Sequence, residues 1–334
     1  MKTHKLALMA VTSLLSVHAQ AQSTVTIDGS VMGTVVKTEG SRPQMVSIGP
    51  ANQIRFIGSE DLGGGLRAHF VLAERFNLTT GGFDGYVGNR PLFQGESTVG
   101  LAGAFGSVRM GRALSATAGL WNGQNDPWLA TAYASMMNLT GRVSGADYQV
   151  DRNQNDGAGI SRTSGIHYVS PNFGGVTMYG TFGLRQTTGS NTDNRKNLTS
   201  LWAQYSSGPI AGGVGFEQNR QGDDITAAAG TYDFGVAKIG AGISRIDTTV
   251  KLGKAFQAWN VTAMVPVGAV TLKAGIGSAR REGAAVGEIG IKDTKFALGA
   301  SYAFSKRTTA DMAWAKNNTS NGPDSLEFSL RHRF

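Results

Sequence analysis

The chain contains no cysteine, which excludes disulfide frameworks, cysteine-based zinc sites and thiol nucleophiles. Prolines number only 8 against 47 glycines, and charged residues make up 16% of the 334 positions. Beyond the first 21 residues, no apolar run reaches the ~18 residues that a membrane-spanning helix needs. Helical spans are therefore excluded, whereas a membrane β-barrel is not, because barrel strands face lipid on one side only.

The start of the chain has the form of a secretory signal peptide. Lys2 and Lys5 precede an apolar run over residues 6–17, and Ala19-Gln20-Ala21 is a small-x-small cleavage site. The run is too short to cross ~30 Å of hydrocarbon, which argues against a membrane anchor. We expect residues 1–21 to be removed and residues 22–334 to form one exported domain.

Positive charge is in modest excess and is scattered. The full chain carries +8, and loss of Lys2 and Lys5 leaves 29 basic residues against 23 acidic ones, or about +6. A nucleic-acid-binding protein would concentrate this excess in one patch, but the densest cluster, Arg331-His332-Arg333, is short and lies within a strand pattern. Nucleic acid is therefore excluded as a partner.

From Thr24 onward the hydrophobic pattern repeats every two residues, as expected of strands with one apolar face. In the last segment, for example, Leu326, Phe328, Leu330 and Phe334 share one face. Sixteen such segments occur, near residues 24–36, 52–60, 65–75, 93–103, 106–112, 163–170, 174–186, 197–207, 209–219, 224–233, 235–246, 255–266, 268–280, 291–304, 307–317 and 324–334. Tight turns alternate with longer polar connections between them. This organisation predicts an all-β fold, a sixteen-stranded antiparallel transmembrane barrel whose short turns face the periplasm.

The longest interruption of the strand pattern runs from Ala113 to about Ser161. Compact domains rarely contain so long a connection without a functional reason. It carries Trp121, Trp128, Tyr133 and Tyr148, so it has side chains with which to pack. In a barrel wide enough to hold water, the surface available for packing is the inner one, and we expect this loop to fold inward.

Two soluble all-β architectures compete with the barrel. Sandwiches bury one face in units of ~100 residues and do not sustain one alternation over about 310 residues without a domain break. Propellers show a blade period of ~40 residues, and no such period is present. The pattern favours a single barrel domain.

Five ordered motifs resemble the Gram-negative porin family of β-proteobacterial type, whose members are trimeric sixteen-stranded diffusion pores. The motifs are Gly58-Ser59-Glu60-Asp61-Leu62-Gly63-Gly64-Gly65-Leu66, Val99-Gly100-Leu101-Ala102-Gly103, Phe105-Gly106-Ser107-Val108-Arg109-Met110-Gly111-Arg112, Ser170-Pro171-Asn172-Phe173-Gly174-Gly175 and Leu330-Arg331-His332-Arg333-Phe334. The resemblance implies a homotrimer in the outer membrane, in contact with lipid and lipopolysaccharide. It also implies that residues 113–161 are the third loop, which forms the constriction, and that Phe334 is recognised by the barrel-assembly machinery. Phe334 also fits an aromatic girdle.

Porins of this class oppose a basic wall to acidic residues on the inserted loop. Strand alternation turns Arg55 and Arg109 inward, and Arg162 and Arg112 match wall positions of the family. Two usual wall arginines are replaced here, by Gln53 and Gly95, so we expect a weak anion preference. On the loop the candidate constriction residues are Asp126, Trp128, Asp147 and Asp151. A turn-forming role for Asp126 is an equal alternative. Lys273, Lys295, Arg331 and Arg333 are interpreted as general lumen charge.

Three other functions compete with a diffusion pore. An outer-membrane hydrolase would need a histidine beside a nucleophile, but His69, His167 and His332 lie in no nucleophile motif. An adhesin or structural barrel would need no long inward loop. A substrate-specific channel, for an organic anion or a sugar, remains an open alternative because a few constriction residues decide specificity. The sequence indicates no metal or cofactor, and the predicted function is passive diffusion of small hydrophilic solutes and ions.

Overall fold

The computed structural model describes residues 23–48, 51–82, 92–117, 125–129, 132–136, 162–184, 197–219, 222–247, 256–281, 291–318 and 324–334. The strands in these ranges are β1 (Thr24–Thr38), β2 (Gln44–Val46), β3 (Gln53–Gly63), β4 (Leu66–Arg75), β5 (Glu96–Gly103), β6 (Gly106–Leu114), β7 (Arg162–Val169), β8 (Val176–Gly183), β9 (Leu198–Ser207), β10 (Ile210–Gln218), β11 (Asp224–Asp233), β12 (Lys238–Asp247), β13 (Phe256–Val267), β14 (Val270–Arg281), β15 (Ile291–Ala303), β16 (Thr308–Asn318) and β17 (Ser325–Arg333). No helix within the described ranges is long and apolar enough to span a membrane.

Sixteen of these strands form a closed antiparallel ring. From β3 to β17 each strand pairs with the next along the chain. The ring closes because β1 pairs with β3 over Thr24–Ser30 and with β17 over Ser30–Thr38. Among the described strands, closure leaves no open sheet edge. The predicted sixteen-stranded barrel is confirmed, with predicted and observed strand ends differing by only a few residues.

Side chains alternate between the two faces of every strand, and the outer face is apolar. Large aliphatic side chains such as Ile243, Val214 and Leu298 are exposed outward. Outward aromatic residues collect near the short turns and the C-terminus: Phe105, Tyr168, Phe173, Tyr205, Tyr232, Phe234, Tyr302, Phe304 and Phe334. Such a ring is typical of the interfacial girdle of a membrane barrel.

Strand β2 was not predicted from the sequence. It pairs with β1 over Thr34–Val36, beyond the part of β1 that pairs with β3. Between the two pairings, the buried side chain of Asn52 substitutes for a backbone partner. Its Oδ1 accepts the N–H of Met32 at 2.7 Å, and its Nδ2 donates to the Met32 carbonyl at 3.2 Å. The first long connection is thus attached to the wall, and the buried backbone groups of Met32 are satisfied.

Phe334 completes the ring through its backbone. Its N–H donates to the Gly29 carbonyl at 3.2 Å, and the Gly29 N–H donates to the Phe334 carbonyl at 3.1 Å. The Phe334 ring lies against Gly29, where an added Cβ would come within 2.7 Å of the ring and 2.3 Å of the Gln53 carbonyl oxygen. Only glycine leaves room for the last residue at the seam.

We expect Gly29→Val to destabilise the closed barrel by about 1–3 kcal/mol, the usual cost of overpacking. The measurement is the midpoint of urea-induced unfolding of the protein refolded in detergent. Gly33→Val is the matched control, because an added Cβ there meets only the Met45 and Leu78 side chains at 3.5 and 3.6 Å. Equal midpoints for the two variants would show that the seam tolerates a side chain.

Candidate functional site

The inner wall of β1 and β3 carries the first of the predicted basic residues. Arg55 lies directly opposite Asp28, and the two side chains form a two-point ion pair, Nε to Oδ1 and Nη2 to Oδ2, each at 2.6 Å. The side chains are 40% and 30% exposed. Arg55 therefore faces the lumen as alternation predicts, but its charge is compensated on the same wall.

Arg109 on β6 repeats this arrangement. Its Nη1 lies 2.8 Å from Glu96 Oε1 on β5, and the same carboxylate oxygen accepts a hydrogen bond from Thr98 Oγ1 at 2.9 Å. Asp28 and Glu96 were not singled out from the sequence. The sequence does contain the information that places them. Ile27 and Val99 face outward, so the alternation of side chains along each strand puts Asp28 and Glu96 on the inner face.

A third inward arginine was also missed. Arg75 ends β4 opposite Gln53, on the face that bears His69 rather than Phe70. Gln53 faces inward as predicted and places an amide where the family usually has a charge. Arg75 lies on the adjacent strand, so the wall keeps a cation beside this position. The alternation of side chains along β4 predicts that Arg75 faces inward. Because Arg75 is the last residue of the strand, the alternating pattern is hard to recognise there.

Arg112 and Arg162 do not lie on the inner wall, where they were predicted. By register, Arg112 lies on the face of Met110 and Arg162 on the face of Ile166, and both of those side chains are exposed outward. Arg162 is 5% exposed, and its Nε donates to the Gly95 carbonyl at 2.9 Å. Arg112 is held by weaker contacts to the carbonyls of Gln94 and Arg162, at 3.4 and 3.5 Å. The placement of these two arginines on the pore wall is therefore corrected: they support the segment before β5.

The third loop begins by following the inner wall of β8–β10. The backbone N–H of Ala116 donates to Thr181 Oγ1 at 3.1 Å, and that of Thr117 donates to Ser200 Oγ at 2.9 Å. The Ser115 hydroxyl donates to Glu217. All three wall residues are buried and inward-facing, so this part of the loop lies inside the barrel.

The next described stretch of the loop crosses to β12–β15. Thr262 Oγ1 on β13 donates to the Asn125 carbonyl at 2.6 Å. Trp128 is 4% exposed and packs on a cluster of wall alanines. Its ring fits because Gly275 and Gly299 lack side chains: an added Cβ would approach the ring within 3.2 and 3.1 Å. Trp128 therefore anchors the loop to the wall.

Asp126 organises the loop. Its carboxylate accepts hydrogen bonds from the Trp128 N–H at 3.2 Å, the Met136 N–H at 3.4 Å and the Ser135 hydroxyl. The residue is 4% exposed, as expected of the turn-forming alternative. Asp147 and Asp151 lie outside the described residues.

Two wall residues hold the loop between Tyr133 and Ser135. Glu327 on β17 accepts the N–H groups of Tyr133 and Ala134 at 2.9 and 3.0 Å. Lys295 on β15 donates to the carbonyls of Tyr133 and Ser135, at 2.9 Å for the latter. We call Glu327 and Lys295 the loop clamp. The interpretation of Lys295 as general lumen charge is wrong, because sequence distance from the loop does not indicate distance across a closed barrel.

The remaining far-wall charges lie around a cavity of about 130 Å³ beside the loop. Lys273 and Asp311 are ion-paired at 3.1 Å, and Arg331 and Arg333 line the same cavity. The described contacts of the loop thus lie on the inner walls of β8–β10, β12–β15 and β17. Within the described residues, no group of acids and histidines could hold a metal ion.

His69 and His167 have structural contacts. His69 Nε2 lies 3.0 Å from Ser107 Oγ, and His167 Nδ1 lies 3.1 Å from Thr181 Oγ1. Both contacts join inward-facing residues of the wall. These contacts give His69 and His167 a structural role in the wall.

Known proteins resemble this chain along nearly its whole length. The family model for the Gram-negative porin matches residues 6–322. Outer membrane porin protein 32 of Delftia acidovorans is 29% identical over 321 residues, covering 90% of this chain and 86% of the relative. The anion-selective porin from Comamonas acidovorans shares 25% identity at a TM-score of 0.74, covering 94% of this chain and 100% of that one.

A more distant structure shares the fold alone. The trimer form of OmpT from Vibrio cholerae is 14% identical with a TM-score of 0.67, covering 93% of this chain and 99% of that chain. With the family model matching most of the chain, the hydrolase alternative is excluded. The chain belongs to the Gram-negative porin family of outer-membrane channels.

Proposed function

We propose that the chain forms a water-filled pore for passive diffusion of small hydrophilic solutes and ions, with a weak preference for anions. The observation that carries the proposal is the inner wall of β3–β6, where Arg55 and Arg109 face the passage but each is ion-paired with a carboxylate. The named anion selectivity of the Comamonas porin supports the direction of the preference.

The pairing explains why the preference is weak. A narrow ring selects ions by the charge that its walls present, and low-dielectric surroundings strengthen each charge. Asp28 and Glu96 cancel most of the field of Arg55 and Arg109 at a distance. Only a small net field therefore remains. Arg112, Arg162 and Asp126 take no part in the proposed selectivity.

The proposed assembly is a homotrimer in the outer membrane, in contact with lipid and lipopolysaccharide. The trimer form of the Vibrio cholerae structure supports this state. We further propose that residues 1–21 are a signal peptide, that residues 22–334 are the mature barrel domain, and that Phe334 is recognised by the barrel-assembly machinery. Its aromatic side chain in the girdle and its backbone pairing with Gly29 support that role.

Recording from planar bilayers tests the pore directly. We expect large currents that rise linearly with voltage and appear in three equal steps for each insertion. A substrate-specific channel would instead show small currents that one organic anion or sugar blocks at saturating concentration. Folded protein that inserts without conductance would contradict the proposal.

A further inference from the structure

The cavity of about 130 Å³ beside the third loop has two chemically different sides. We call it the loop cavity. Its loop side is apolar and consists of Pro127, Trp128, Leu129 and Ala132. Its wall side, on β14–β17, is polar and carries charges of both signs: Lys273, Arg331 and Arg333 against Asp311 and Glu327. A solute that fills this cavity must therefore meet an apolar surface on one side and both kinds of charge on the other.

The order of side chains along β17 separates the two signs. Successive residues on the inner face of this strand lie about 7 Å apart, and in order from the short-turn end they are Arg333, Arg331, Ser329 and Glu327. Asp311 on β16 lies directly opposite Ser329, so both acids lie on the loop side of the two arginines. The loop cavity thus has a positive end towards the short turns and a negative end towards the loop clamp.

The positive end contains an arginine that can take an anionic group. Arg333 is exposed and lines the loop cavity. Among the residues that the structure describes, no carboxylate pairs with its guanidinium. A guanidinium presents five N–H donors in a fixed plane and binds a carboxylate through two of them. The positive end therefore fits a carboxylate.

The negative end keeps acceptor sites for a cationic donor. Glu327 accepts two backbone N–H groups from the loop, and a carboxylate offers about four lone-pair sites. Asp311 accepts hydrogen bonds from Lys273 at 3.1 Å, from Thr309 at 3.4 Å and from Ser301. Both acids can accept a further hydrogen bond, and a primary ammonium has three N–H groups to donate.

We propose that the loop cavity binds a zwitterionic α-amino acid with a small apolar side chain. The carboxylate lies at Arg333 and the ammonium at Glu327 and Asp311, each held by charge-assisted hydrogen bonds. The side chain packs against Leu129 and Ala132 on the loop. A simple anion leaves the negative end unused, and a sugar matches neither end. This inference rests on the proposed pore, which brings solutes to the cavity, and it adds a solute class that carries no net charge.

The experiment titrates three solutes against the folded protein in detergent and follows binding by saturation-transfer NMR. The probes are L-valine, isovalerate, which lacks the ammonium group, and isobutylamine, which lacks the carboxylate. We expect isovalerate and isobutylamine each to bind about tenfold more weakly than L-valine, because each loses the hydrogen bonds of one charged group. If either analogue binds as tightly as L-valine, the assignment of the cavity to amino acids is overturned.

The variant Arg333→Gln tests the positive end. It should bind L-valine about tenfold more weakly than the unaltered protein. The matched control is Arg67→Gln, which also removes an exposed arginine near the short-turn end of a strand, β4, but does not line the loop cavity. Its affinity for L-valine should be unchanged. Equal losses in the two variants would reduce the effect to general charge and overturn the site.

The variant Lys273→Gln with Asp311→Asn tests the negative end without changing the net charge. It should weaken the binding of L-valine and leave that of isovalerate unchanged, since isovalerate has no ammonium group. An unchanged affinity for L-valine would contradict the placement of the ammonium group.

The loop cavity and the pore can fail separately, because NMR detects binding without conduction. A protein that conducts in bilayers but binds L-valine no better than isovalerate overturns the loop cavity alone. A protein that binds L-valine preferentially but does not conduct supports the loop cavity and overturns the pore alone.

Discussion

Simultaneous replacement of Glu327 and Lys295 by alanine is expected to release the third loop from the wall and produce a larger, noisier open-channel current. Four hydrogen bonds to charged groups are lost, each worth about 1.5–3 kcal/mol. Replacing both residues avoids leaving one buried charge without its counterpart. With Trp128 still in place, we expect the docking equilibrium of residues 132–136 to shift by at least about a hundredfold, or about 2.8 kcal/mol.

Single-channel recording and hydrogen exchange measure this effect together. The amides of Tyr133 and Ala134 should exchange much faster in the variant, and current fluctuations should increase. The control is Lys273→Ala with Asp311→Ala, which removes an ion pair from the same wall with the same zero change in net charge. A quiet channel of unchanged conductance in the Glu327/Lys295 variant would show that the clamp does not hold the loop.

Replacement of Asp28 and Glu96 by their amides is expected to give a strongly anion-selective pore. The change leaves Arg55 and Arg109 in place and removes the carboxylates that compensate them. At about 5 Å in water, one unit charge contributes about 0.8 kcal/mol, or about a fourfold change in local ion concentration. Because the paired side chains are partly exposed, each pair contributes only about 0–1 kcal/mol to stability, so the variant should fold.

Asp61→Asn with Glu60→Gln is the control for this variant. It removes the same number of acids from the exposed end of β3 next to the turn into β4, away from the ion pairs of Arg55 and Arg109. The ratio of anion to cation permeability should rise by severalfold for Asp28→Asn with Glu96→Gln and should change little for the control. Similar changes in both would indicate that total charge, rather than its position on the wall, sets selectivity.

The barrel could be predicted from the sequence because its physical requirements are local. Each strand must alternate, and outward residues such as Leu298 and Phe328 must be apolar, so the period of two appears in every segment. Strand β2 escaped prediction because it is three residues long and depends on Asn52 from a distant part of the chain. Closure between Phe334 and Gly29 likewise depends on residues at opposite ends of the sequence.

The site was less predictable because charges act in pairs across strands. Alternation gives the inward direction of Arg55 and Arg109, but the register that sets Asp28 and Glu96 beside them depends on strand pairing. Arg112 and Arg162 were placed by motif, and the register contradicts that placement. The clamp residues Glu327 and Lys295 are remote from the loop in sequence and meet it only after the ring has closed.

The zero-current potential in a tenfold gradient of potassium chloride tests the central claim most directly. The account predicts a small potential of anion-selective sign for the unaltered pore and a larger one for Asp28→Asn with Glu96→Gln. Arg55→Glu with Arg109→Glu should reverse the sign toward cation preference. An identical potential in all three proteins would contradict the account, because the paired wall of β3–β6 would then not face the narrowest part of the passage.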